Sequence, residues 1–204
     1  MEYLPGVLSM IIVVCLIVLV LTGWGSLLFD QSIPVLLIVM MALWLLLSGY
    51  ELALYSFKIN AAWLIWGVVG LLGGRTFLRS EQDTGSKLLI FSHMMILTCC
   101  YFILEMERYS GRGFIPIIPL WGYALFAGVV ALLSTPTVRG QWMILTISLW
   151  IGEGLIQWRV TGMNGITLGN LSTFDVWWLA FGTARCCAAV IMIFQQFFGL
   201  RSSE

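Results

Sequence analysis

Three ionisable residues sit inside otherwise charge-free apolar stretches: Glu105, Glu153 and Arg185. An ionised side chain at the centre of a bilayer costs roughly 2.5–3.5 kcal/mol on insertion scales, so such a residue normally faces a partner or water. Two chemistries follow. A carboxylate and a guanidinium at matching depth on neighbouring helices can pair, and a carboxylate beside a water-filled cavity can bind a proton or a cationic group. Arg185 lies about 14 Å into the last apolar stretch, and Glu153 about five residues before the end of the one preceding it. Both ends meet at the same connecting loop, so the depths differ by roughly 6 Å, a gap that an extended arginine can cover. The expectation is a Glu153–Arg185 ion pair. It serves either as a clamp between two helices, with Gly152 and Gly154 allowing close approach, or as a substrate or proton site.

Glu105 and three further residues, Tyr101, His93 and Glu51, are secondary candidates. Glu105 and Arg108 are i,i+3 neighbours that can pair locally at a helix end; alternatively Glu105 and Tyr101, one turn earlier on the same face, line a polar cavity. Glu51 is expected to face the headgroups with Tyr55. His93 is the single histidine, and with no Cys, Asp or Glu at helical spacing it cannot build a metal site within its own helix; a packing role is expected. Retinal chemistry needs a lysine inside a helix, whereas Lys58 and Lys87 fall at boundaries. One histidine excludes bis-histidine haem, and the sequence has no HExxH, no GxSxG and no P-loop.

The elements that must hold these residues are seven apolar stretches. A soluble domain carries about 25% charged residues, and this chain of 204 carries 10%, with 60% hydrophobic. At about 20 residues per span there is room for six or seven helices and no soluble domain, so residues 1–204 read as one integral membrane domain. The expected spans are 5–24, 34–57, 61–74, 88–106, 115–134, 141–158 and 176–200. The third covers only some 21–24 Å of a core about 30 Å thick, which makes a six-span bundle with a re-entrant third segment the variant. Gly67, Gly70 and Gly74 lie along one side of it, and Gly70 with Gly74 forms a GxxxG pair suited to helix packing. Pro116 and Pro119 are expected in the first turn of the fifth span or at a kink. The fold class expected is an all-α polytopic transmembrane bundle.

Net charge is zero, with no cluster of Lys and Arg suited to a nucleic acid. The partners expected are the lipid bilayer and, through the Gly67–Gly74 face, other membrane proteins or a second copy; no cofactor is expected. Cys15, Cys99, Cys100, Cys186 and Cys187 lie in apolar stretches as small hydrophobes, without CxxC or zinc spacing. Only Glu2 precedes Pro5, not a basic segment, so the first stretch is expected to be a permanent helix. With the 75–87 loop cytoplasmic, five basic residues inside oppose four outside, which barely sets direction. Trp24, Trp121, Trp142, Trp158, Trp177 and Trp178 fall near predicted ends and are expected at the membrane interfaces.

Glu105 and its neighbours, the stretch Ile151-Gly152-Glu153-Gly154, and the segment Leu168-Gly169-Asn170-Leu171-Ser172-Thr173-Phe174-Asp175 resemble the YphA-like family of small multi-spanning membrane proteins from Bacillus-type bacteria. The resemblance covers mostly the second half of the chain. It implies a multi-pass location in a bacterial plasma membrane and brings no catalytic residues. Two function classes follow from the sequence. The first is a non-enzymatic scaffold, assembly partner or regulator, and the alternative is a small transporter or proton-coupled carrier using Glu153, Arg185 and Glu105.

Overall fold

The computed structural model describes residues 5–25, 34–55, 57–80, 83–110, 120–162 and 166–198. Helix α1, Val7–Leu19, continues into a π-helical turn, Val20–Trp24, kinked where Gly23 takes φ 93°. Then come α2 (Pro34–Leu47), β1 (Glu51–Leu54), β2 (Phe57–Asn60), α3 (Ala61–Ser80), α4 (Thr84–Ser110), α5 (Leu120–Ser134), α6 (Val138–Thr161), β3 (Ile166–Leu168) and α7 (Leu171–Phe197). Four segments are long and apolar enough to cross a membrane, Val7–Trp24, Ala61–Arg79, Thr84–Ser110 and Leu171–Phe197, with Trp121–Ser134 a shorter apolar helix. Pro116, Pro119, Arg112, Asn164 and the tail 201–204 lie outside the described residues.

Several sequence expectations change. The second span stops at Leu47 and not at residue 57, because the chain turns into a β-hairpin. Glu51 therefore sits on a strand, exposed. The hairpin pairs Glu51 with Asn60 and Leu54 with Phe57, and β3 joins parallel to β2 with Phe57 opposite Ile166. Strand pairing satisfies the backbone N–H and C=O groups between these short segments; the fold is the expected helical bundle, with a small three-stranded sheet at one end. The third segment is a helix of 20 residues, about 30 Å long, so it is long enough to cross a membrane and not the roughly 21–24 Å read from the sequence. It runs through Arg75 and Arg79 because basic side chains can extend toward a headgroup layer. The last helix begins at Leu171, five residues earlier than expected.

Helix α6 lies at the centre of the bundle and packs on α3, α4, α5 and α7, while α7 also packs on α1 and most extensively on α5. Glycines make this possible. A Cβ on Gly67 would overlap the Trp150 ring, one on Gly70 would lie 2.9 Å from Thr146 Cγ2, and one on Gly74 would meet the Met143 side chain, so α3 seats directly on α6. Gly128 does the same for α5 against the α7 backbone at Ala180.

The core is aromatic. Trp44, Trp63, Trp66, Trp177 and Trp178 are fully buried with Phe174 and Phe181, and their rings meet mostly edge to face, as between Trp44 and Trp178 (5.5 Å, 73°) and Trp66 and Trp177 (5.7 Å, 75°). Trp142 packs into the same cluster 4.6 Å from Trp66 and Trp177, while Trp177 and Trp178, expected near a helix end, are buried inside the bundle. Those residues are near an end only if the last helix starts at residue 176. With α7 beginning at Leu171 they lie a turn or more inside it. Trp24, Trp121 and Trp158 are exposed. Cys15, Cys99 and Cys186 are exposed on apolar helices, and Cys100 and Cys187 are half-buried.

Candidate functional site

One end of the bundle gathers the start of α1, the end of α2, the hairpin, the start of α3, the end of α4 and the start of α7 around a polar cavity of about 730 Å³. Its charged and amide-bearing lining is Glu51, Asn60, Glu105, Arg108 and Asn170, with Ser172. Each arrives there for a local reason. Asn60 caps α3, its Oδ1 accepting from Ala62 N at 2.9 Å, while its Nδ2 donates to Ser48 O at 2.7 Å and closes the hairpin base. Glu105 is on the last turns of α4, 7% exposed, with Arg108 Nη1 3.5 Å from its Oε1. That contact has the i,i+3 geometry read from the sequence.

Glu153 lies immediately beneath this cavity, 2% exposed, on α6. Its Oε2 accepts from Gly169 N at 3.0 Å, and its Oε1 accepts from Asn170 N at 3.1 Å and Thr173 Oγ1 at 3.0 Å. The two N–H groups belong to Asn170, the N-cap of α7, and to Gly169 just before it, and Asn170 itself makes no side-chain cap bond. A carboxylate supplied by the neighbouring helix takes over the capping role, where the helix dipole also favours negative charge. Gly169 adopts φ 82° at this turn, and a side chain there would run into Trp63 and Asn60. Tyr101 OH lies 3.2 Å from Thr173 Oγ1, so Tyr101 and Glu153 share that hydroxyl.

A second buried carboxylate repeats the device. Asp175, 2% exposed in the first turns of α7, accepts from Gly6 N at 2.7 Å and Ser9 N at 2.6 Å, and from the Ser9 hydroxyl. It caps α1, whose N-cap Gly6 (φ 92°) has no side chain to do so. The two carboxylates fasten α6 to α7 and α7 to α1 at the same end.

Arg185 is 1% exposed and sits near the other end. Its Nη1 donates to Gln141 Oε1 at 3.2 Å and to Pro136 O at 3.3 Å, and Gln141 Nε2 donates to Thr135 O at 3.0 Å. The expected Glu153–Arg185 pair is not what the geometry shows. Glu153 is level with Thr173, and Arg185 is twelve residues further along α7, about 18 Å away along the axis. The depth argument failed because it took α6 and α7 to meet at equal height. In fact α6 continues to Thr161 while β3 folds the connection back down beside the hairpin, so α7 starts at the level of Glu153. Among the described residues the single salt bridge is Glu105–Arg108.

His93 binds Ser134 Oγ through Nδ1 at 2.8 Å, joining α4 to the end of α5. Gly67, Gly70 and Gly74 face α6, away from any cavity at the hairpin end. Among the described residues no group of three or more His, Cys, Asp or Glu converges as a metal site. Sequence reasoning missed Asp175, Thr173, Gln141, Ser9 and the structural role of Asn60. A signal for Thr173 did exist: Asn170 with Thr173 before an apolar run reads as a helix start. Nothing in the sequence tied Asp175 to a helix more than 160 residues away.

Compared with known proteins, the chain matches no family model, no curated protein and no solved structure.

Proposed function

We propose that the protein is a seven-span, non-enzymatic component of the plasma membrane that acts as an assembly partner or regulator. One observation carries this reading: the three deeply buried charged side chains hold helix ends together. Glu153 caps α7, Asp175 caps α1, and Arg185 ties α7 to the α5–α6 turn. The space between the two ends is filled by the tryptophan cluster. The resemblance to the YphA-like family implies that the membrane is bacterial. The helix ends that meet at the polar cavity support an alternating path in which the chain enters at the hairpin end and leaves at the other. Arg75, Arg79, Lys87 and Arg139 lie at that other end, against Lys58, Arg108 and Arg159 at the hairpin end, an excess of one that barely sets direction. A topology test follows: in a background without native cysteines, Asp83→Cys and Tyr55→Cys are labelled from opposite faces of the membrane. Labelling from the same face overturns the seven-span path.

The second reading, a proton-coupled carrier, draws on the proximity of Glu105, Tyr101, Thr173 and Glu153 to the polar cavity. Reconstitution decides between the two. Proteoliposomes bearing the wild type and Glu153→Gln are expected to show the same low proton permeability. A flux present in the wild type and abolished by Glu153→Gln overturns the assembly reading and establishes the carrier.

A further inference from the structure

Helices α3 and α4 are joined by a short loop, yet they pack on α6 rather than extensively on each other. A groove of about 620 Å³ opens between them, floored by Met143 and Ile147 of α6. Its polarity is graded. Arg75 and Arg79, one turn apart near the end of α3, and Lys87, in the first turn of α4, ring the end nearest the loop. Leu71 and Met94 line it about 6–10 Å deeper along their helices. Gly74 keeps the wall thin, because its missing side chain leaves α3 resting on Met143.

Three cations therefore stand over an apolar slot at the loop end of α3 and α4. Arg75, Arg79 and Lys87 make no salt bridge among the described residues. Of the two acidic residues in the connecting loop, Glu81 lies outside the described residues, and Asp83 accepts from Gly85 N at 3.2 Å, Ser86 N at 2.8 Å and Ser86 Oγ at 3.0 Å while also attracting Lys87. Three cations against the two carboxylates of residues 75–87, Glu81 and Asp83, leave a net charge of +1 on this segment. Arginine and lysine near a bilayer surface bind anionic headgroups, and basic pockets between transmembrane helices take such lipids. Phosphate oxygens also match the arginine fork.

We propose that this groove is a binding site for one anionic phospholipid, its phosphate held by Arg75, Arg79 and Lys87 and an acyl chain lying against Met94, Met143 and Ile147. The charge complementarity selects an anionic lipid over a zwitterionic one, and the apolar slot selects a lipid over a free anion. The proposal rests on the reading that the chain spans a membrane.

Native mass spectrometry of the full-length protein in detergent tests it, with phosphatidylglycerol and phosphatidylcholine titrated in parallel. The wild type is expected to bind phosphatidylglycerol in preference. Each substitution Arg75→Gln, Arg79→Gln or Lys87→Gln weakens that binding about fivefold, and the triple variant roughly a hundredfold, while phosphatidylcholine is unaffected. Arg139→Gln, at the same end but outside the groove, leaves the preference intact. Met94→Trp, which fills the slot and keeps the cations, lowers binding of phosphatidylglycerol. Equal binding of the two lipids by the folded wild type overturns the site, as does a preference that survives in the triple variant. Displacement of the bound lipid by inorganic phosphate also overturns it, since a free anion then accounts for the cations. The singly substituted positions Arg75 and Arg79 are exposed, so the test does not depend on the triple variant folding. Extraction of the protein from membranes by alkaline carbonate is a separate outcome that overturns the membrane reading itself.

Discussion

Glu153→Gln keeps the shape of the side chain and takes away one acceptor, which makes it a measured probe of the cap on α7. The oxygen at the Oε1 position still accepts from Asn170 N and Thr173 Oγ1, 3.1 and 3.0 Å away. The new NH2 group then faces Gly169 N–H, which was 3.0 Å from Oε2, so two donors confront each other. Gly169 cannot move aside easily, because its position is packed against Asn60 and Trp63. A buried donor left unsatisfied costs about 1–3 kcal/mol, and interhelical hydrogen bonds in membranes lie at the low end of such ranges. We expect a loss of about 1–2 kcal/mol for Glu153→Gln. Glu153→Ala removes all three bonds and opens a cavity, for a loss of about 3–5 kcal/mol. Thr173→Val, which leaves both backbone bonds, costs about 1 kcal/mol. The assay is reversible unfolding in mixed micelles followed by tryptophan fluorescence, which reports the buried indoles of the core. If Glu153→Ala unfolds with the same free energy as the wild type, Glu153 does not cap α7 and the reasoning fails.

Two further outcomes follow from packing and capping. Gly67→Ala drives a methyl group into the Trp150 ring and should destabilise by about 1–3 kcal/mol, whereas Gly73→Ala, with nothing within 4 Å of its new Cβ, should be neutral or gain about 0.5–1 kcal/mol; equal effects on unfolding would refute the packing of α3 on α6. The backbone N–H groups of Ser86 and Gly85, with the Ser86 hydroxyl, hold the Asp83 carboxyl below its ordinary value of 3.8. Its stabilisation of the first turn of α4 is therefore fully present above that value and disappears as pH falls through the lower folded value. Hydrogen exchange at Gly85 and Ser86 should match between wild type and Asp83→Ala only below that pH, and protection that is the same in both proteins at neutral pH contradicts the cap.

Much of the fold was legible because charge-free stretches of spanning length have few structural alternatives. The chain around Glu51 was not. Leu52, Leu54 and Phe57 continue the apolar character of α2 past the short interruption Ser48-Gly49-Tyr50-Glu51, and the pairing that makes them strands comes from Ile59 and from Ile166–Leu168, far along the chain. The third segment was underestimated for a related reason, since Arg75 and Arg79 look like an end in composition while their stems still run along an apolar groove. At the candidate site, the sequence singled out Glu105, Glu153 and Arg185 as unusual, since a charge among apolar residues is conspicuous in a list of letters. Their partners were hidden. Glu153 binds backbone N–H groups and a threonine, and the contacts described for Arg185 include a carbonyl and an amide side chain, groups that carry no charge for a pattern to detect. Helix height decided the outcome, and height depends on a strand register that only the folded chain reveals.

Glu153 and Arg185 hold opposite ends of the α6–α7 interface and do not pair with each other. A pair of double-mutant cycles measures this directly, Glu153→Ala with Arg185→Ala and Glu153→Ala with Thr173→Val. The account predicts that the first pair adds within about 0.3–0.5 kcal/mol, as distant sites do, and that the second is coupled by about 0.5–3 kcal/mol. Coupling above about 1 kcal/mol between Glu153 and Arg185, with additivity between Glu153 and Thr173, contradicts it.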